Sequence, residues 1–348
     1  MDNPVLVEVT RGEAVESAHR GAIAIVDADG HALVSIGDTA RPVFPRSATK
    51  PLQALYLAES GALDHYGLGT RELALACASH NGEPFQVDGV VKMLSCAGLT
   101  PVCLECGSQW PKRADDRAAM VLADELPGAV HNNCSGKHAG FVCAARHLGE
   151  KVEGYVHPDH PVQRELKATL ESLCDFRIDH PGLAGTDGCS IPTYAVPLQN
   201  MAHGFARFAA ATSMGRARDN AARAIFDACT SHPEMVAGTG RFDTEMMQAF
   251  GNRVLLKTGA EGVYAGMIPS LGLGVALKCE DGGTRASETM MAAVLAALFE
   301  DGSTLLAGRL KPPLKNRNGW TVGTVRPVDG LVGRLSACRT GHSGHAVA

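Results

Sequence analysis

"PRSATKPLQAL", residues 45–55, marks the point where one sequence pattern ends and another begins. Before it lie two strand-like pieces, VLVEV from Val5 and GAIAIVDADGHALVSIG from Gly21. The second is broken by an Asp-Ala-Asp-Gly turn and reads as a hairpin. After it, from Ala48 to about Phe250, helical signals dominate. Thr70 can cap RELALACA, EPFQVDGVVKMLSCAG is amphipathic and ends in glycine, Pro161 opens PVQRELKATLESL, and Asp243 precedes TEMMQAFG. Strand character returns in RVLLKTG, GVYAGMI and LGVALKC; ASETMMAAVLAALFE reads as a helix and LVGRLSACR as a final strand. This order predicts an α+β fold. One antiparallel sheet comes from the N- and C-terminal segments, is packed by helices, and is interrupted by a helical lobe. The expected organisation is a single domain over residues 1–348, with a sheet lobe of about 1–45 and 251–348 and a mainly helical lobe of about 46–250.

Bulk properties remove several function classes. The 348 residues are 45% apolar and 20% charged, the proportions of an ordinary soluble globular protein. A net charge of −5 gives no electrostatic reason to expect nucleic acid or an anionic membrane as partner. No apolar run reaches the ~18 residues that a membrane span needs. MDNPVLVEVTRGE is acidic where a signal peptide is basic and lacks its apolar core, so a cytoplasmic protein is expected. The 11 cysteines are odd in number and irregularly spaced, which argues against a disulfide framework. Most read as small buried apolar residues, with one or two left as candidates for metal.

Familiar motifs are mostly missing. G-x-G-x-x-G, H-E-x-x-H and G-x-S-x-G do not occur. SGKH at residues 135–138 lacks both the leading glycine of a phosphate loop, where His131 stands, and the Ser/Thr after the lysine. HPDHP, with His157 and His160, reads as a turn and helix cap ahead of Pro161. Cys103-Leu-Glu-Cys106 is the one C-x-x-C; with no second pair and no βαβ context it reads as two buried or incidental cysteines.

Ser47 and Lys50 remain. A lone S-x-x-K also describes a helix N-cap followed by a solvated lysine. Here the pair precedes a helix with apolar Leu52, Leu55 and Tyr56, and i and i+3 share a helix face, so Lys50 can return its amine to the Ser47 hydroxyl. Pro51 is tolerated because first-turn amides lack intrahelical partners. Lys257-Thr258-Gly259 ends a β-rich run, and Ser79-His80-Asn81 lies between the two motifs. S-x-x-K on a helix with K-T-G on a strand is the pair used by serine β-lactamases and penicillin-binding proteins, whose S-D-N element Ser79-His80-Asn81 resembles. A serine becomes a nucleophile when a base removes its proton. An ordinary lysine is neutral in only ~0.04% of molecules at pH 7, and half-neutrality needs a shift of ~3.4 units, roughly 4.6 kcal/mol. Burial and a second ammonium, such as Lys257 near Lys50, both push that way.

With VEVTRGEAVESAHRGAIAIVDADG, FPRSATKPLQAL, LACASHNGE, HNNCSGKHAGF, GTDGCSIPTYAVPL and LLKTGAEGVYAG in succession, the chain resembles the rhizobial-type, or class 3, L-asparaginases from about Val5 to at least Leu298. The resemblance implies a fold similar to serine β-lactamases and serine-dependent glutaminases, and hydrolysis of L-asparagine to L-aspartate and ammonia. It implies two serine–lysine tandems, Ser47 with Lys50 and Ser79 with Lys257. It further implies one Zn²⁺ per chain, modulatory in role and bound by Cys134, Lys137 and Cys189, with His138 and Asp187 beside the metal and facing substrate. A homodimer is the family expectation. On the residues alone, Cys134 and Lys137 stand i, i+3 at a helix start, so both can meet one ion, with Cys189 as third ligand and water as fourth. Two buried cysteines and a solvated lysine are the competing reading.

The expected chemistry follows. Ser47 attacks the side-chain amide carbon with Lys50 as general base, while Ser79 and Lys257 relay protons, although the two serines could exchange roles. Arg46, Asn81, His138 and Asp187 are candidates for the α-carboxylate and α-amine; arginine suits the carboxylate and Asp187 the amine. A surface salt bridge and a turn are the competing readings for Arg46 and Asn81. A glutaminase or penicillin-interacting serine hydrolase would share the Ser–Lys machinery, and a non-catalytic zinc or thiol protein would need only the cysteines.

Overall fold

The computed structural model describes residues 3–341. Its main sheet runs, edge to edge, through Pro313–Lys315, Thr321–Pro327, Val5–Arg11, Ala14–Asp27, Leu273–Cys279, Val263–Ile268 and Leu255–Thr258, with Ala32–Ile36 also paired to Ala14–Asp27. Every pairing is antiparallel, as in Leu273↔Asp27 and Val7↔Pro327. The fold is α+β, and the chain's two ends build the sheet as expected.

Alternation along Ala14–Asp27 divides the core in two. Ala22, Ala24 and Val26 face the helices of the central segment, whereas Ile23 and Ile25 face the other way. On that second face lie the helices Thr284–Leu298 and Leu331–Gly341. On the first face the helix Leu198–Ala210 lies directly against the sheet. Gly274 allows that approach: a Cβ there would sit 2.0 Å from the Ala202 carbonyl oxygen. The central helices therefore share a core with the sheet instead of forming a body of their own.

Three local expectations need correction. LVGRLSACR lies within the helix Leu331–Gly341, because Leu331 and Leu335, four apart, are both fully buried beside Thr284–Leu298. The last strands are Pro313–Lys315 and Thr321–Pro327, which the sequence reading missed; most of their side chains are exposed or half-buried, so no apolar alternation marks them. Thr70 and Asp243 sit inside their helices, and Gly69 and Arg241 hold the cap positions. His160 does cap Pro161–Cys174, accepting from the Val162 N–H at 3.2 Å. Among the described residues no helix is long and apolar enough to cross a membrane.

Candidate active site

Three segments far apart in sequence meet at the end of the sheet. Arg46–Thr49 forms a 3₁₀ turn leading into the helix Lys50–Gln53. Arg46 adopts φ +53°, a left-handed conformation that costs a non-glycine residue about 1–2 kcal/mol. The sheet strand Leu255–Thr258 delivers Lys257 beside this turn, and Gly259 makes the approach possible, since a Cβ there would lie 2.5 Å from the Pro45 carbonyl oxygen. Ser79 follows the helix Thr70–Ala76 and is held by its N–H donating to the Val236 carbonyl at 2.9 Å.

Ser79 is where the two lysines converge. Lys50 Nζ and Lys257 Nζ each lie 3.0 Å from Ser79 Oγ. Lys50 also donates to the Ala78 carbonyl and to Cys134 Sγ, the latter at 3.1 Å, and these three acceptors match the three N–H groups of an ammonium. Among the described hydrogen bonds none joins Lys50 to Ser47. Lys50 is fully buried and runs inward, while Ser47 stays half-buried at the cavity wall, so the two side chains sit at different depths. Lys257 has two acceptors, Ser79 Oγ and its neighbour's carbonyl at Thr258. Burial, helped by Lys50 and Arg241 and opposed by Asp243, pulls its pKa down to about 7.

Ser47 and Ser79 line one cavity of about 230 Å³, together with Lys112, Arg241, Thr258 and Ala260 among others. That is below the ~300 Å³ at which drug-sized ligand sites begin, and it suits a small substrate. His80 is committed to the scaffold. It is wholly buried, accepts from the Gly82 N–H at 3.0 Å, and pairs with Ser135 Oγ at 2.8 Å. Burial and the charge of Lys50 push its pKa down to about 3, so it is neutral. Asn81 is likewise engaged: its amide donates to Glu83 at 3.0 Å and to the Thr239 carbonyl at 3.2 Å, and its oxygen accepts from Arg241 at 3.2 Å.

Behind Ser79 lies a cluster of sulfur and amine. Lys137 Nζ is 3.1 Å from Cys189 Sγ. The neighbouring Cys189 holds the Cys134 thiol well below the usual range; Lys50 and Lys137 act the same way against burial. Cys189 is correspondingly raised. Burial would lower Lys137, but Cys189, Cys134 and Asp187 outweigh it and hold its pKa up. His138 is wholly buried next to Lys137; Nδ1 meets Tyr155 Oη at 2.6 Å and Nε2 has no partner among the described residues. The two sulfurs and the amine of Cys134, Cys189 and Lys137 are donors of the kind Zn²⁺ takes. Tetrahedral bonds of ~2.3 Å to sulfur and ~2.1 Å to nitrogen need an S···N separation of ~3.6 Å, so the present contact would have to open by about half an ångström.

Two other expected residues border this cluster, where Asp187 acts on Lys137 and Cys189, and they pair with each other. Arg46 and Asp187 hold each other, with Arg46 Nη2 and Nε donating to one Asp187 oxygen at 2.7 and 3.0 Å. Burial raises the Asp187 pKa, but Arg46 and Lys137 more than reverse it. Asp187 sits in the turn joining the two-stranded ladder Ala184–Thr186 and Pro192–Tyr194, which also carries Cys189. Arg46 lines a second cavity of about 370 Å³, with Arg41, Glu261 and Lys278. Ser47, Lys50, Ser79, Lys257, Cys134, Lys137, Cys189 and His138 are thus brought into one neighbourhood. Lys112, Arg241 and Ala260 line the cavity and had no sequence signal, since nothing in their local pattern ties them to Ser79. Cys103 and Cys106 form no disulfide, and burial pushes their pKa values up to about 11 and about 12, against a reactive pair.

A family model described as L-asparaginase II matches residues 7–327. No curated protein matches the chain. Among solved structures the chain is similar to Mglu in its native form, at 15% identity over 76% of this chain and 57% of that one, with a TM-score of 0.33. It is similar to the D-alanine carboxypeptidase AmpC from Burkholderia cenocepacia at 11% identity, covering 77% and 90% of the two chains, with a TM-score of 0.37. A β-lactamase from Mycobacterium bovis shares 16% identity over 77% and 90%, with a TM-score of 0.31. The match spans little more than half of Mglu's length. At these identities and scores none of the three bears on substrate or mechanism.

Proposed function

Because the chain belongs to the L-asparaginase II family, we propose that it is a serine amidohydrolase that converts L-asparagine to L-aspartate and ammonia through an acyl-enzyme. The observation that carries this reading is the position of Ser79 Oγ, 3.0 Å from both Lys50 Nζ and Lys257 Nζ in a cavity that Ser47 also lines. Ser47 attacks the amide carbon, and its proton passes by way of Ser79 to the lysine pair. Lys257 takes the proton, since near pH 7 about half of it is neutral. The backbone N–H groups of Ser47 and Ala260, residues that line the cavity, are the donors we assign to the developing oxyanion. Ammonia leaves with the returned proton, and water then cleaves the seryl ester by the same path.

Cys134, Lys137 and Cys189 would hold one Zn²⁺ per chain, with Lys137 giving up its proton on binding. When bound, the ion supplies a fixed positive charge beside the Lys50–Cys134 contact. The same reading carries a cytoplasmic enzyme acting as a homodimer on a small molecule, with neither nucleic acid nor membrane as partner.

The test is ammonia release from L-asparagine and L-glutamine beside nitrocefin hydrolysis, with Ser47→Ala as control. L-asparagine should be turned over and the variant should lose at least about 10³-fold. Turnover of L-glutamine or nitrocefin without L-asparagine would move the assignment to a glutaminase or a penicillin-interacting hydrolase. L-asparagine turnover unaffected by Ser47→Ala would move the nucleophile to Ser79, and no turnover of any of the three substrates would leave the zinc or thiol protein.

A further inference from the structure

The cavity shared by Ser47 and Ser79 is charged in one sense only. Lys112 and Arg241 line it, and among the described residues no carboxylate does. Neither cation has an ion-pair partner among the described residues; Arg241 donates only to neutral oxygens, Asn81 Oδ1 at 3.2 Å and the Ser79 carbonyl at 3.4 Å. The surrounding carboxylates are set back or engaged. Asp243 is fully buried and accepts from Tyr264 Oη and the Thr258 N–H. Glu288 lies one helical turn beyond Thr284, half-buried and outside the lining, and reaches Lys112 and Arg241 only through its field. Asp187, the expected ammonium partner, is held by Arg46 and does not line this cavity.

A carboxylate entering such a cavity gains charge-assisted hydrogen bonds from cations that have no other counter-charge. An ammonium entering it finds no counter-charge and two like charges. We propose that the site recognises its substrate by one carboxylate, held by Arg241 and Lys112, and places no requirement on the α-amine. The substrate class is then the ω-monoamides of dicarboxylic acids. L-asparagine is one member; succinamate, which has the same chain without the amine, is another. The chemistry is unchanged: the amide C–N bond breaks as the seryl ester forms, ammonia leaves, and water cleaves the ester to the dicarboxylate. This inference rests on the amidohydrolase reading and adds Arg241 and Lys112 as its specificity-determining residues.

The experiment compares ammonia release from L-asparagine, succinamate and 3-aminopropanamide, the last lacking the carboxylate, using the full-length protein. Product binding is followed in parallel by calorimetry with L-aspartate and succinate. Expected are kcat/KM values for L-asparagine and succinamate within about tenfold of each other, and a loss of at least about 10²-fold for 3-aminopropanamide. Arg241→Gln should raise KM for both carboxylate-bearing amides at least about tenfold with a smaller effect on kcat, and should weaken both products alike. Lys112→Gln, at an exposed position, gives the same readout should Arg241→Gln fail to fold. If L-asparagine is hydrolysed while succinamate is slower by more than about 10²-fold, the amine is recognised and the inference is overturned. If no amide releases ammonia, the amidohydrolase reading falls. Succinate and L-aspartate binding then still decides the carboxylate site: equal affinities uphold it, and binding of L-aspartate alone refutes it.

Discussion

Lys257 shows what a single residue contributes here. Its side chain is wholly buried, its nitrogen serves Ser79 and the Thr258 carbonyl, and burial holds its pKa near 7. A base must be neutral to accept a proton, so kcat/KM should rise about tenfold per pH unit below about 7 and level off above it. Initial rates between pH 5 and 9 check this; a flat profile below 7 removes Lys257 as the acceptor. The same shift has a stability sign. The folded pKa lies below the unfolded one, so between about 7 and 10.5 the unfolded chain binds the extra proton and stability rises with pH. Lys257→Met should therefore fold with an equal or higher Tm at pH 7, with the gain shrinking toward pH 10, while activity is lost. The K-T-G signature made Lys257 legible from sequence. Where Lys50 points was not legible: the i, i+3 spacing allowed a contact with Ser47, yet its buried stem leads it to Ser79 instead.

Among the elements, two glycines separate site geometry from stability. Gly259 lets the edge strand meet the Pro45–Ala48 turn, where an added Cβ would lie 2.5 Å from the Pro45 oxygen. Gly259→Ala should displace that turn and lower kcat about 10-fold or more with a modest fall in Tm. Gly274 meets the helix Leu198–Ala210 at 2.0 Å from the Ala202 oxygen, far from the serines in sequence. Gly274→Ala should cost about 1–3 kcal/mol while the folded fraction keeps its specific activity. Thermal melts beside active-site titration distinguish the two; equal kcat losses would mean that Gly259 has no special bearing on the site. The long helices and the Asp27–Gly30 hairpin were legible because periodicity and turn residues agree. LVGRLSACR was not, because Leu331 and Leu335 suit a strand face or a helix face equally, and only packing beside Thr284–Leu298 selects the helix.

For the whole molecule, the sulfur–amine cluster ties loop to helix: Cys189 lies on the turn after Ala184–Thr186, whereas Cys134 and Lys137 stand at the start of the helix Ser135–His147. An ion bound there would cross-link them in the folded state alone and so stabilise it. Purified protein should carry about one zinc per chain by elemental analysis, Cys134→Ala and Cys189→Ala should lose it, and chelation should lower Tm by several degrees. Unchanged metal in both variants would refute the ligand set. By itself the sequence determined the α+β order, the two serine–lysine motifs and the family, since these are carried by local periodicity and short fixed spacings. Only the tertiary structure decided which groups face one another. It put both lysines on Ser79, paired Arg46 with Asp187, and brought Lys112 and Arg241 to the cavity wall. The physical reason is that a side chain's partner is chosen by burial and by the charges that folding brings near, and segments some 200 residues apart, such as Ser47 and Lys257, carry no local trace of that choice.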